Sequence, residues 1–163
     1  VDGGEIKGML TNTDFINATK GRSFQEIQVK DRMTTDPITV GPQDRLVHAR
    51  RLIFDEDIGR LPVVDGDELQ GIVTAKDVAR SMISFRKVVP DKYKPARIRN
   101  LLVEDVMTQN VKTVSGNASI EEVSNIMAEN KFNGLPVLDE GELTGIITKT
   151  DLIKLIVERE EVH

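Results

Sequence analysis

A chain of 163 residues, 39% hydrophobic and 30% charged, suits one compact globular domain or a fused pair of small ones burying about 68 to 70% of the unfolded surface. It has no cysteine, and its two histidines, His48 and His163, stand far apart in sequence, so disulfides, thiolate catalysis, cysteine-bound zinc and a histidine-based metal or triad site are all disfavoured. A net charge of −5 argues against a general nucleic-acid binder, and with no apolar run near the roughly 18 residues of a bilayer span and no signal-peptide pattern the expected setting is the cytoplasm, with no membrane partner.

The chain repeats itself. Residues 29–80 and 103–154 align without a gap at an offset of 74, and 16 of the 52 pairs are identical. A partial copy opens the chain, where VDGGEIKGMLTNTD (Val1 to Asp14) matches VDGDELQGIVTAKD (Val64 to Asp77) at an offset of 63. The implied division is 1–22 as the tail of an upstream repeat, 23–86 as the first complete repeat, 87–100 as a linker and 101–163 as the second complete repeat. On this reading the parent protein carries at least three repeats, and four if they come in pairs.

In chain order, each full copy starts with VKDRMT (Val29 to Thr34) or VEDVMT (Val103 to Thr108) and a polar turn. Ile38 to Val40 and Lys112 to Val114 are β-rich and are expected as first strands. Apolar residues then recur at helical spacing, Leu46, Ala49 and Ile53 in one copy and Ile120, Val123 and Met127 in the other, with Ser119 and Glu122 set as a capping box. LPVVD and LPVLD followed by Asp-Gly or Glu-Gly and LQGIV or LTGII predict a hairpin. Helices over about 75–86 and 149–160 close the copies. One unit of about 52 residues leaves too much apolar sheet exposed to stand alone, so the copies should pack face to face about a pseudo-two-fold axis.

The linker stretch from Ser84 to Asn100 carries six basic residues against Asp91 alone. A solvated crossing, a partner surface and a charged wall beside a cleft are all compatible with it. Few aromatic residues and no Trp disfavour single-strand nucleic-acid binding. GxSxG, GxxxxGK[ST] and GxGxxG motifs are missing, and no nucleophile-base pair can be assembled, so no catalytic residue and no metal ligand is expected.

A strand-helix-strand-strand-helix repeat with DVMT, LPVVD and G-h-h-T-x-x-D motifs resembles the cystathionine β-synthase (CBS) domain, which occurs in tandem pairs, and the resemblance covers nearly the whole chain. It implies an α/β (α+β) protein of two β-α-β-β-α repeats packed sheet to sheet. It also implies two clefts for an adenosine-containing ligand, AMP, ADP, ATP or S-adenosylmethionine, and a homodimer with a regulatory rather than catalytic role.

Carried over by motif, Thr74 with Asp77 and Thr148 with Asp151 would meet phosphate and ribose hydroxyls, with Lys76 beside the first pair. Asp36, Pro37 and Ile38, and Asn110, Val111 and Lys112, would meet adenine through their backbone. Gly59, Arg60, Leu61 and Pro62, and Asn133, Gly134, Leu135 and Pro136, would line the same clefts. Arg60 suits a phosphate and has no counterpart at Gly134, where Lys149 could substitute.

Simple chemistry agrees in part. Threonine at a strand end before a helix marks an anion-prone helix N-terminus, and an aspartate three residues on can accept from a ribose diol. Gly71 and Gly145 would let a flat base approach the backbone. The same Thr-x-x-Asp spacing is also an ordinary helix cap, and both readings stay open. Met33 and Met107 read as core or cleft lining, and Arg60 is equally compatible with a solvated surface role.

Overall fold

The computed structural model of the chain describes residues 4–9, 11, 14, 24, 26–88 and 100–160. A 3-10 turn (Val29–Asp31) and strand β1 (Thr34–Thr35) precede helix α1 (Leu46–Asp55), strands β2 (Arg60–Asp65) and β3 (Glu68–Thr74) and helix α2 (Ala75–Val88). Helix α3 (Ile120–Asn130), strands β4 (Gly134–Asp139) and β5 (Glu142–Thr148) and helix α4 (Lys149–Glu160) repeat the pattern. Among the described residues the fold is mixed α/β, with four helices and antiparallel hairpins. Of the basic linker, residues 89–99 lie outside the described residues, as do most of residues 1–22.

Two compact units are formed, and they do not follow the sequence repeats. One joins the chain up to Thr35 with Thr113–Asp139 and the segment from Thr144 onward; the other comprises Asp36–Lys112 and Glu140–Leu143. The reason lies in the arms that begin each copy. β1 pairs antiparallel with β5, Thr34 opposite Ile146 and Thr35 opposite Gly145, so the first copy's arm is built into the second copy's sheet. The second copy's arm does the reverse, Thr108 and Ile72 exchanging backbone hydrogen bonds of 2.9 and 3.0 Å.

The arms also cap helices. The Leu46 N–H donates to the Leu101 carbonyl at 2.8 Å, and the Ile120 N–H donates to the Ile27 carbonyl at 3.0 Å, which satisfies one of the helix's first donors in each unit. Ser119 adds a side-chain cap, its hydroxyl accepting from the Glu122 N–H at 3.1 Å. Arg45, at the corresponding position of α1, provides none, so that helix leans on the arm alone.

Each unit has its own core. Val29, Ile120, Val123, Met127, Leu135, Val137, Ile147, Leu152 and Leu155 are buried together in one. Val40, Leu46, Ala49, Leu61, Val63, Val73, Val78 and Val103 are buried together in the other. Each large aliphatic side chain contributes about 1.5–3 kcal/mol by leaving water. Val29 and Val103, the first residues of the two arms, each lie in the core of the other copy.

The expected first strands shrink to one parallel bridge apiece, Val40 with Val63 and Val114 with Val137. The Val40 N–H donates to the Pro62 carbonyl at 3.1 Å and the Val64 N–H to the Val40 carbonyl at 2.9 Å. The next rung would need an N–H from Pro62, or from Pro136 in the second copy, and proline has none. The hairpin turn of the second copy has the two positive φ values of a type I′ turn, at Glu140 and Gly141, while the first copy turns at Gly66.

Asp139, at the end of β4, ties its unit together. Its carboxylate accepts from the Gly116 N–H and the Ser115 hydroxyl, both at 2.9 Å, and from the Thr144 hydroxyl at 3.2 Å. These bonds, the Gly116 N–H first, hold the carboxyl below the ordinary aspartate value, with the Lys30 charge adding to the effect. A carboxyl whose pKa is depressed by folding stabilises above the unfolded value of about 3.9, and that contribution is lost as pH falls through the lower folded value. Asp139→Asn should therefore flatten the acid limb of the melting temperature against pH, measured from neutrality down to about pH 3.

Candidate functional site

In the Asp36–Lys112 unit the ends of β2 and β3 bring Gly59, Arg60 and Thr74 together at the start of α2. The segment that begins with Asp36–Ile38 meets β2 through the bridge of Val40 with Val63. On the other side Arg60 faces Thr74, and the Ala75 N–H donates to the Gly59 carbonyl at 3.0 Å. Gly59–Leu61, Thr74 and the start of α2 thus lie side by side, and Asp36–Ile38 lead into the bridge at Val40. Strand alternation gives Leu61 and Val73 to the core, while Arg60, Pro62, Ile72 and Thr74 share the opposite face. Leu61 is wholly buried, which leaves its backbone alone for any ligand, and Lys76 is exposed on the first turn of α2.

Asp36 takes a left-handed conformation with φ of 48°, and Asn110, at the same place in the second copy, has φ of 52°. Short polar side chains tolerate this region best, which fits aspartate and asparagine here. Asn110, Val111 and Lys112 fall in the Asp36–Lys112 unit, whereas Asn133, Gly134, Leu135, Pro136, Thr148, Lys149 and Asp151 fall in the other. Within that other unit the Lys149 N–H donates to the Asn133 carbonyl at 3.1 Å, the counterpart of the Ala75 to Gly59 bond.

The Thr-x-x-Asp motif closes on itself. Asp77 Oδ2 accepts from the Thr74 N–H at 2.9 Å and from the Thr74 hydroxyl, and Asp151 Oδ2 accepts from the Thr148 N–H at 2.8 Å and its hydroxyl at 2.6 Å. Asp77 Oδ1 has no partner among the described residues. The anion expected at the helix N-terminus is therefore the aspartate itself. A phosphate there would meet a carboxylate, while a diol would meet an acceptor.

The space that Gly71 and Gly145 keep free is filled by the exchanged arms. A Cβ at Gly71 would stand 2.8 Å from the Thr108 carbonyl oxygen and 2.9 Å from Met107 Sδ, and one at Gly145 would stand 2.8 Å from the Thr34 carbonyl oxygen. The sequence suggested that these glycines admit a flat base, but the close approach is made by the protein's own backbone. Met33 and Met107 accordingly pack half-buried against the two cores.

The cations differ between the copies. Arg60 is half-buried and engaged with its surroundings. Lys149 is 5% exposed and likewise engaged, whereas its counterpart Ala75 is exposed. Sequence reasoning missed that burial. A shallow depression of about 360 Å³ along α4, lined by Thr150, Ile153, Lys154, Val157 and Glu158, includes none of the Thr-x-x-Asp residues. Among the described residues no group of histidine and carboxylate side chains could hold a metal, and no helix is long and apolar enough to cross a membrane.

The CBS domain family model matches residues 29–84 and 103–158, and the chain belongs to that family. Protein MJ1225 of Methanocaldococcus jannaschii is 29% identical over 157 residues, which is 94% of this chain and 55% of that protein. Its crystal structure superposes with a TM-score of 0.76 at 28% identity, covering 90% of this chain and 54% of that one. The CBS domain pair of protein MJ0100 in complex with 5′-methylthioadenosine and S-adenosyl-L-methionine matches with a TM-score of 0.69 at 26% identity, covering 82% of this chain and 98% of that one. CBSX2 in complex with AMP matches with a TM-score of 0.68, the same identity and the same coverages. The first curated relatives are longer proteins, of which this chain spans 22% to 55%.

Proposed function

We propose that the chain is a regulatory module that binds an adenosine-containing ligand and carries out no reaction of its own. The observation that carries this reading is the grouping of Gly59–Arg60 with Thr74–Asp77 at one end of a hairpin, with Asp36–Ile38 leading into the bridge at Val40, supported by related pairs solved with AMP and with S-adenosylmethionine. Asp36–Ile38, the segment leading to the Val40 bridge, offers backbone to a flat base. Asp77 Oδ1 accepts from the ribose diol, and Arg60, across from Thr74, takes the phosphate. Asp151 plays the same part in the other unit, with a neutral Gly134 where the first copy has arginine. The two sites are then unequal, and phosphate-rich ligands favour the one that contains Arg60. The protein acts in the cytoplasm as a homodimer, a reading supported by Ile83 and Val157, equivalent residues on α2 and α4 that are both exposed and apolar.

A thermal-shift panel of AMP, ADP, ATP, S-adenosylmethionine and GTP tests this. A ligand at about 100 times its dissociation constant adds about 2.7 kcal/mol, roughly 5 to 10 °C for a chain of this size. Shifts with adenosine ligands and none with GTP are expected, and Arg60→Ala should shrink the shift with ATP more than that with S-adenosylmethionine. Flat curves throughout would favour a second reading, an interaction scaffold in which Thr-x-x-Asp serves only as a cap. The self-bonded geometry of those pairs is the observation behind that alternative.

A further inference from the structure

Each arm sets one thioether against bare backbone. A Cβ at Gly145 would stand 2.5 Å from Met33 Sδ and one at Gly71 would stand 2.9 Å from Met107 Sδ, so each sulfur rests on a glycine. The polar atom beside the same glycine is an acceptor, the carbonyl oxygen of Thr34 or of Thr108, 2.8 Å from where that Cβ would be. The chain has no cysteine and no tryptophan, so its five methionines are its most readily oxidised groups.

Those methionines differ in access. Met127 is wholly buried and Met9 is 84% exposed. Met33, Met82 and Met107 are half-buried, and the residues after Met33 and Met107, Thr34 and Thr108, are exposed, so solvent reaches both arms. A thioether is apolar and deformable and fits against glycine. Its sulfoxide bears a strongly accepting oxygen. Beside Gly145 or Gly71 that oxygen either faces the threonine carbonyl with no donor between them or turns to water and lifts the side chain off the glycine.

We propose that Met33 and Met107 are modification sites, at which a hydroperoxide converts the thioether to the sulfoxide and so loosens the arm. The sulfur lone pair attacks one peroxide oxygen, the S–O bond forms as the O–O bond breaks, and the proton of the transferred hydroxyl passes to the departing oxygen. Sulfur is oxidised by two electrons and hydrogen peroxide is reduced to water. A dithiol reverses the change through a methionine sulfoxide reductase, becoming a disulfide as the oxygen leaves in water. The arms also carry Val29 and Val103, wholly buried, and the Ile27 and Leu101 carbonyls that accept from the Ile120 and Leu46 N–H groups. Oxidation at either methionine therefore frees a core valine and uncaps a helix in its own unit. No part of this depends on ligand binding.

The test adds hydrogen peroxide in steps to the full chain without nucleotide. Peptide mass mapping counts the sulfoxide at each methionine, and amide hydrogen exchange is followed at Thr34 and Ile146 and at Ile72 and Thr108, the residues that join arms to sheets. Met9 is expected to oxidise first without effect, Met33 and Met107 next and Met127 last. Exchange at the arms should rise by roughly tenfold in step with oxidation of Met33 and Met107, and return to its starting value after treatment with methionine sulfoxide reductase and a dithiol. Met33→Leu combined with Met107→Leu keeps the volume without the sulfur and should hold its arms at the same peroxide concentration, while Met9→Leu should respond like the parent. Arms that stay protected with both methionines oxidised would overturn the proposal. So would oxidation of Met33 and Met107 only together with Met127, which means that the cores open first, and so would loosened arms in the double leucine variant, which assigns the effect to Met82 or Met127. The mapping and its reversal in the parent protein decide the matter even if the double variant does not fold.

Discussion

Gly145→Val is expected to lower stability by about 3 kcal/mol or more, at the upper end of what overpacking a core costs. A Cβ alone would come within 2.8 Å of the Thr34 carbonyl oxygen and 2.5 Å of Met33 Sδ. The sulfur lies on a flexible side chain and can move, but the carbonyl belongs to the β1–β5 pairing and cannot withdraw without breaking it. Met33→Ala should therefore rescue only part of the loss. Gly71→Val should behave in the same way through Met107 and Thr108, while Gly8→Val should leave the melting temperature unchanged. For a chain of this length 3 kcal/mol corresponds to roughly 6 to 12 °C in thermal unfolding, well above measurement scatter. Gly145→Val melting like the parent protein would mean that the arm does not occupy this strand in solution.

Asp77→Asn is the second substitution with a large expected effect, a loss of roughly ten- to a hundredfold in affinity for an adenosine ligand at the site containing Arg60. A hydrogen bond to a charged group is worth about 1.5–3 kcal/mol, and the asparagine amide would turn a donor toward hydroxyls that need an acceptor. Asparagine retains one oxygen able to accept from the Thr74 N–H, so helix α2 keeps much of its cap. Calorimetry with the strongest ligand of the thermal panel should show weaker binding in a protein of nearly unchanged melting temperature. Unchanged affinity together with a lowered melting temperature would reduce the motif to a helix cap. Asp151→Asn applies the same test to the other unit.

Much of the fold is legible in the sequence because its signals are local and doubled. The α2 and α4 boundaries follow from the Thr-x-x-Asp starts, and the hairpins from LPVVD and LPVLD with their glycine turns. The exchange of the arms is not legible. Strand β1 has two residues, too few for an alternating pattern, and nothing in VKDRMT says which copy's sheet it joins. Its hidden marks are Gly71 and Gly145, which read as room for a ligand until the methionines appear beside them. The shortening of the first strands was written in Pro62 and Pro136, whose missing N–H groups limit a neighbouring strand rather than their own. At the candidate site, the family motif singled out Thr74 and Asp77, but it could not show that the carboxylate already occupies the helix terminus. Nor could it show that Lys149 is buried, since burial depends on how α4 packs.

The crossed arms also set an order of assembly. The unit of Asp36–Lys112 is almost continuous in sequence, and its Thr108 to Ile72 contact closes a loop of moderate length. The other unit joins Thr34 to Ile146, about 110 residues apart, so its loop-closure cost is met only when the last hairpin exists. On the ribosome, the first arm emerges about 110 residues ahead of its partner strand and must wait for it. Until then its Val29 and Met33 are exposed apolar groups without a core, and the stretch around them is where a folding helper, or a mispairing neighbour, would find the nascent protein.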